Sequence, residues 1–250
     1  MEYADINAQT IDRWCREGWE WGQPISREKF EAAKRGIWDV VLTPTKPVPY
    51  AWFGPLQGKR LLGLASGGAQ QMPVFAALGA KCTVLDYSET QLQSERDYAA
   101  REGYPMQIVR ADMSKPLPFA DESFDIIFHP ISNCYVRDVE PIWRECQRIL
   151  KPGGRLLAAF DNGINYLVGQ DEERIIHKMP FDPLAVPAVM EECMRDDLGV
   201  QFSHTFTEQL GGLLKAGFRL QDLYEDTNGY GRLHELNINT FMAVHCTKEE

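Results

Sequence analysis

The chain has 250 residues, 44% of them hydrophobic and 25% charged, enough for one large α/β domain with additions. A net charge of −10, with lysines and arginines scattered, argues against a nucleic-acid partner, and no run approaches the roughly 18 apolar residues of a membrane span. The polar start Met1-Glu2-Tyr3-Ala4-Asp5 is unlike a signal peptide, and the six dispersed cysteines read as reduced core thiols without metal spacing, so a cytoplasmic protein is expected.

Residues 1–55 read as a helical N-terminal cap or lid. A helix is predicted over 5–17 and a second from a Ser26 cap to Arg35, before Pro44, Pro47, Pro49 and Pro55 break regular structure. The segment is rich in aromatic residues, and Trp38, Tyr50 and Trp52 are the best placed to surround a cationic ligand and an apolar acceptor. A strand–helix rhythm follows. The apolar run Leu61-Leu62-Gly63-Leu64-Ala65 predicts a strand, Ser66-Gly67-Gly68-Ala69 a tight turn, and 70–78 a helix with Pro73 in its first turn. A second strand, Cys82-Thr83-Val84-Leu85-Asp86, leads into a helix at the capping box Ser88-Glu89-Thr90-Gln91. The third strand, 106–110, ends at Ala111-Asp112-Met113, and the fourth, 124–129, ends at His129. From Asp138 the residues Val139, Ile142, Trp143, Cys146, Ile149 and Leu150 recur at helical spacing until Lys151-Pro152-Gly153-Gly154 stops them; the fifth strand is 155–160.

From 162 to 203 the rhythm is lost, and this stretch reads as an insertion over the carboxyl edge of the sheet. A helix over 207–216 and strands over 218–224 and 238–245 complete the chain, with Asn228-Gly229-Tyr230-Gly231 between the strands as a loop. A direct strand-to-strand connection predicts an antiparallel pair. The fold class is therefore α/β: a Rossmann-like, doubly wound, seven-stranded sheet whose last strand is antiparallel, in a domain spanning 56–250.

Small residues at a strand-to-helix turn let a ligand approach the backbone, and free N–H groups at the helix start can point at it. Asp86 closes the next strand nineteen residues after Gly67, where a carboxylate can accept the two hydroxyl protons of a ribose. Tyr87 can stack along the same nucleoside.

The Gly-rich turn, the ribose acid Asp86, the acid Asp112 after strand three and the late motif Leu150-Lys151-Pro152-Gly153-Gly154-Arg155-Leu156-Leu157 together resemble class I S-adenosylmethionine-dependent methyltransferases of the small-molecule branch. The wording Ala65-Ser66-Gly67-Gly68-Ala69-Gln70-Gln71, with His129-Pro130-Ile131-Ser132-Asn133, is similar to a methyltransferase type 11-like bacterial subgroup. The resemblance implies S-adenosyl-L-methionine as cofactor and a small-molecule methyl acceptor as partner. It makes Ala65, Ser66, Gly67 and Gln71 cofactor contacts beside Asp86 and Tyr87, and sets Asp112 on the adenine amine with the Met113 N–H on a ring nitrogen. The family usually has glycine where this chain has Ala65 and Ala69, and methyl groups fit there if φ stays negative. His129, at the carboxyl end of strand four, is the candidate general base or a wall of the cofactor pocket, with Tyr135 as a second catalytic candidate. Asn133 and Tyr135, with Trp38 and Tyr50, are the candidate acceptor contacts, while His177, His204 and His234 read as surface or insertion residues. An NAD(P)-dependent oxidoreductase and a non-catalytic S-adenosylmethionine-binding protein remain the alternatives.

Overall fold

The computed structural model describes residues 2–169 and 171–249. Its centre is a seven-stranded sheet in the order β3-β2-β1-β4-β5-β7-β6. Strands β1 (Arg60–Leu64), β2 (Lys81–Asp86), β3 (Gln107–Arg110), β4 (Phe124–His129) and β5 (Leu150–Asp161) are parallel, while β7 (Phe241–Lys248) runs antiparallel to both β5 and β6 (Phe218–Asp226). β1 is buried along Leu61-Leu62-Gly63-Leu64, as a central strand covered on both faces must be.

Helices α5 (Glu140–Ile149) and α7 (Phe206–Lys215) cover one face, where Trp143, Cys146, Ile149 and Leu213 meet Leu62, Leu156 and Val244. Helix α7 opens on a capping box, with the Thr205 hydroxyl accepting from the Glu208 N–H and Glu208 returning a bond to Thr205. The opposite face carries α3 (Met72–Ala77) and Leu92 of α4 (Glu89–Glu102), together with Val40, Leu42, Val48, Trp52 and Phe53. Half of the N-terminal segment thus belongs to the sheet's core, because its prolines lay an extended, apolar chain flat on that face. Ahead of it lie α1 (Tyr3–Arg16) and α2 (Arg27–Lys34), the latter capped by Ser26.

The insertion contains short 3-10 turns and α6 (Pro187–Arg195). One element differs from the sequence reading: the connection between β6 and β7 holds a short helix, α8 (Gly231–Glu235), whose Leu233 is buried. Its Leu233 N–H donates to Glu172 of the insertion, a long-range contact that local spacing does not reveal. All six cysteines are free and buried. Among the described residues no helix is long and apolar enough to cross a membrane, and no cluster of His, Cys, Asp and Glu could hold a metal ion.

Candidate active site

Two cavities adjoin at the carboxyl edge of the sheet. The larger, about 500 Å³, is lined by Ala65, Ser66, Gly67, Gln71, Asp86 and Gln91 at one end. At the other end stand Thr43, Pro44, Ile131, Asp161, Tyr166, Phe181 and Phe241. The smaller, about 70 Å³, is bounded by Tyr87, Asp112 and Met113 and roofed by Ala4, Asn7, Ala8 and Ile11 of α1. Ala65, Asp86, Ser132 and Tyr135 line both.

Asp86 sits where the cavities meet. Its Oδ2 accepts the Gly67 N–H at 3.0 Å, and its Oδ1 accepts those of Tyr87 at 2.8 Å and Ser88 at 3.0 Å. Burial pushes this carboxyl upward, and the three N–H groups pull it back. A carboxylate has about four lone-pair sites, so one acceptor position remains, on Oδ2. The sequence reading gave Asp86 both ribose hydroxyls; the geometry leaves room for one strong bond.

The turn is tighter than expected. Ala65 and Ala69 have φ of 47° and 57°, in the left-handed region. Each methyl there costs about 1–2 kcal/mol, strain that the surrounding contacts hold in place. Three of the turn's amides are already engaged within the chain. The Gly67 N–H goes to Asp86, Gly68 to the Gln91 carbonyl and Ala69 to Glu95 Oε1 at 2.8 Å. Burial raises the Glu95 carboxyl to about 8, so it holds the turn largely as the neutral acid.

His129 does not reach the cavity. It is fully buried, with Nδ1 2.9 Å from the Leu64 carbonyl and Nε2 2.8 Å from the Asn133 amide, and desolvation lowers its pKa. Nδ1 must donate to a carbonyl, so the neutral ring requires a donor at Nε2. The Asn133 NH2 supplies it when the Gln209 NH2 in turn faces the Asn133 oxygen. The expected catalytic and acceptor-contact positions of His129 and Asn133 are therefore corrected: they form a packed polar relay linking β1, β4 and α7.

Trp38 and Tyr50 are also outside the cavities. Tyr50 donates to the Trp38 carbonyl, and the Trp38 ring packs against Tyr50 and Phe53 on the outer face of the sheet. Trp52 stacks near Tyr224 and His245. Trp19 and Trp21 line the larger cavity instead. His204, expected at the surface, is buried with Nε2 2.8 Å from the Val136 carbonyl.

Sequence reasoning missed two residues. Gln91 faces the larger cavity with its Oε1 buried and unpartnered. Asp161, at the end of β5, has a buried, unpartnered Oδ2. Gln91 was absorbed by its capping pattern and Asp161 by its place at the start of an irregular stretch.

These features fit an S-adenosylmethionine molecule: a partly buried acid with one open acceptor position and an orphan amide oxygen, both lining the same cavity. Over 249 residues the chain is 37% identical to the uncharacterized methyltransferase YbaJ of Bacillus subtilis, covering 97% of each. The chain belongs to the class I S-adenosylmethionine-dependent methyltransferases. Residues 62–158 of this methyltransferase match the family described as methyltransferase domain. It is 28% identical over 164 residues to a ubiquinone biosynthesis O-methyltransferase of Mesorhizobium japonicum, covering 64% of this chain and 65% of that one. A crystal structure of an S-adenosylmethionine-dependent methyltransferase from Mesorhizobium loti shares the fold, with a TM-score of 0.62 and 22% identity over 79% of this chain and 94% of that one. Family membership sets aside the oxidoreductase alternative.

Proposed function

We propose that this methyltransferase acts on a small, largely apolar acceptor held in the larger cavity, with the donor across the junction and its adenine end directed toward the smaller one. The observation that supports this is the junction of the two cavities at Ala65, Asp86, Ser132 and Tyr135. The relative named for ubiquinone biosynthesis agrees with a small organic acceptor.

S-adenosylmethionine, when bound, supplies a methyl group already activated on a sulfonium. The protein's work is then positioning. Asp86 would hold one ribose hydroxyl on Oδ2. Asp112 would meet the adenine amine with the oxygen not engaged by the Ser114 N–H, and the Met113 N–H a ring nitrogen. Tyr87 would flank the nucleoside. Ser66 and the methyl of Ala65 would bound the methionine end, with Gln71 beside them. Tyr135 would stand between donor and acceptor.

Calorimetry with S-adenosylhomocysteine tests the donor half. Losing a hydrogen bond to a charged group costs about 1.5–3 kcal/mol, so Asp86→Ala should bind at least about tenfold more weakly than the parent. Equal affinity in a folded variant removes Asp86 from the donor site. A labelled-methyl screen of metabolite fractions tests the acceptor half, and label appearing only in protein or nucleic acid refutes it.

A further inference from the structure

The order of groups along the sheet edge separates the acceptor from the donor. Asp112 follows β3, Asp86 ends β2, the turn follows β1, Pro130–Ser132 follow β4, and Asp161 ends β5. Neighbouring strands lie about 4.8 Å apart, so Asp161 is roughly 10 Å from the donor turn, on the side away from adenosine. It is 2% exposed and lines the larger cavity. Its Oδ1 accepts the Gly163 N–H at 2.9 Å, while Oδ2 is buried without a partner. An unmatched buried carboxylate oxygen carries a desolvation cost that a proton, a hydrogen-bond donor or, most strongly, a cation relieves.

The surroundings supply no cation, and none of their donors is bonded to Oδ2. Among the described residues, no Lys, Arg or His lines this cavity. The titratable groups facing Asp161 are the Cys134 thiol from the turn after β4 and the Tyr166 hydroxyl, and Tyr166 already donates to Gln201 Oε1 at 2.7 Å. Phe241 flanks it from β7, and Thr43 and Pro44 come from the N-terminal segment. Phe181, Tyr166 and Phe241 add aromatic faces, which attract cations. An anionic acceptor would meet two carboxylates, Asp86 and Asp161, and no cationic side chain.

We propose that Asp161 is the acceptor-side catalytic base and that the acceptor is an apolar amine, recognised as its ammonium by Oδ2. The inference rests on the methyltransferase reading above. The ammonium N–H bond breaks and its proton passes to Oδ2. The freed nitrogen lone pair forms the N–C bond as the C–S bond of the donor breaks, and that electron pair leaves on sulfur. The methylated ammonium keeps the charge the sulfonium loses. Burial holds the Asp161 carboxyl near 7, which suits a base that must both take and return a proton.

The test uses the full chain saturated with S-adenosylhomocysteine, whose own binding is measured first. The probes are 2-phenylethylamine, tryptamine and octylamine, each against its alcohol and carboxylate counterparts. The parent should bind at least one amine about tenfold more tightly than its counterparts, with affinity rising through about pH 7, where Asp161 ionises while an amine, near pKa 10, stays charged. Asp161→Asn keeps the side-chain shape and can still accept from Gly163. It should lose the preference and the pH dependence, with S-adenosylhomocysteine affinity within twofold. With labelled donor, methyl transfer to the bound amine should fall about 10²–10⁴-fold in Asp161→Asn. Alcohols or carboxylates bound as well as amines, no amine bound, or a preference surviving in Asp161→Asn would each overturn the proposal. Failure of S-adenosylhomocysteine to bind the parent would instead strike the donor reading.

Discussion

A buried imidazole engaged at both nitrogens has no lone pair to lend a substrate. His129 is such a group, so its replacement reads out packing. His129→Ala would open a cavity and strand the Leu64 carbonyl and the Asn133 amide. The combined cost is about 2–4 kcal/mol. For a chain of this length that lowers Tm by roughly 2–4 °C per kcal/mol, while affinity for S-adenosylhomocysteine should stay within about threefold. An unchanged melting curve together with a large loss of turnover would restore a catalytic role. Residue identity was legible in the sequence at two strand ends: Asp86 and Asp112 stand at the cavities as the rhythm of strands implied, while Asp161 at the end of β5 was passed over. For His129 the strand end was right and the side-chain direction was not. Which way an imidazole turns depends on Asn133 and Gln209, and Gln209 is 76 residues further along on α7.

At the scale of elements, α1 and the insertion hold each other. The Asn7 amide donates to the Val200 carbonyl at 2.8 Å and accepts the Val200 N–H at 2.7 Å. Arg13 pairs with Asp197, and the Trp14 indole N–H reaches the same carboxylate. Asp12 meanwhile accepts from the Ser88 hydroxyl and the Thr90 N–H, tying α1 to the start of α4 beside Asp86. The sequence reading had both irregular segments covering the acceptor. Both segments line the larger cavity, Ile11, Trp19, Trp21, Thr43 and Pro44 from the first and Asn165, Tyr166, Phe181 and Gln201 from the second, and α1 also roofs the smaller one. If these elements act as a joint lid, opening should require breaking the Asn7–Val200 pair. Asn7→Ala leaves two buried backbone groups unpaired, at about 1–3 kcal/mol each. Hydrogen exchange should then speed up in both 3–16 and 196–201, and S-adenosylhomocysteine should slow it in both for the parent. Acceleration confined to one segment would show that they move independently. The helix itself was legible from its spacing. Its destination was not, because contacts between residues far apart in sequence, such as the Asn7–Val200 pair 193 residues apart, fix it.

Across the whole molecule, buried titratable groups pull stability in opposite directions with pH. Glu95 rises from 4.5 to about 8 and Asp161 from 3.8 to about 7, both chiefly through burial. Between each pair of values the folded chain holds a proton that the unfolded chain has released, so their contribution is full at low pH and is lost as pH rises toward 8. His129 and His204 are lowered from 6.5, again chiefly by burial. Below that value the unfolded chain takes up protons that the folded chain refuses, so stability also falls on the acid side. The two slopes imply a maximum on the acid side of neutrality. Thermal melts from pH 5 to 9 should show Tm declining by several degrees between pH 6 and 8. Glu95→Gln should remove much of that decline, since its amide oxygen can still accept the Ala69 N–H while the side chain no longer titrates. Asp161→Asn should flatten the remainder in the same buffers. A profile that climbs steadily to pH 8 in the parent would mean that these carboxyls ionise freely in the folded state. That result would remove the burial argument from the turn and from β5 together.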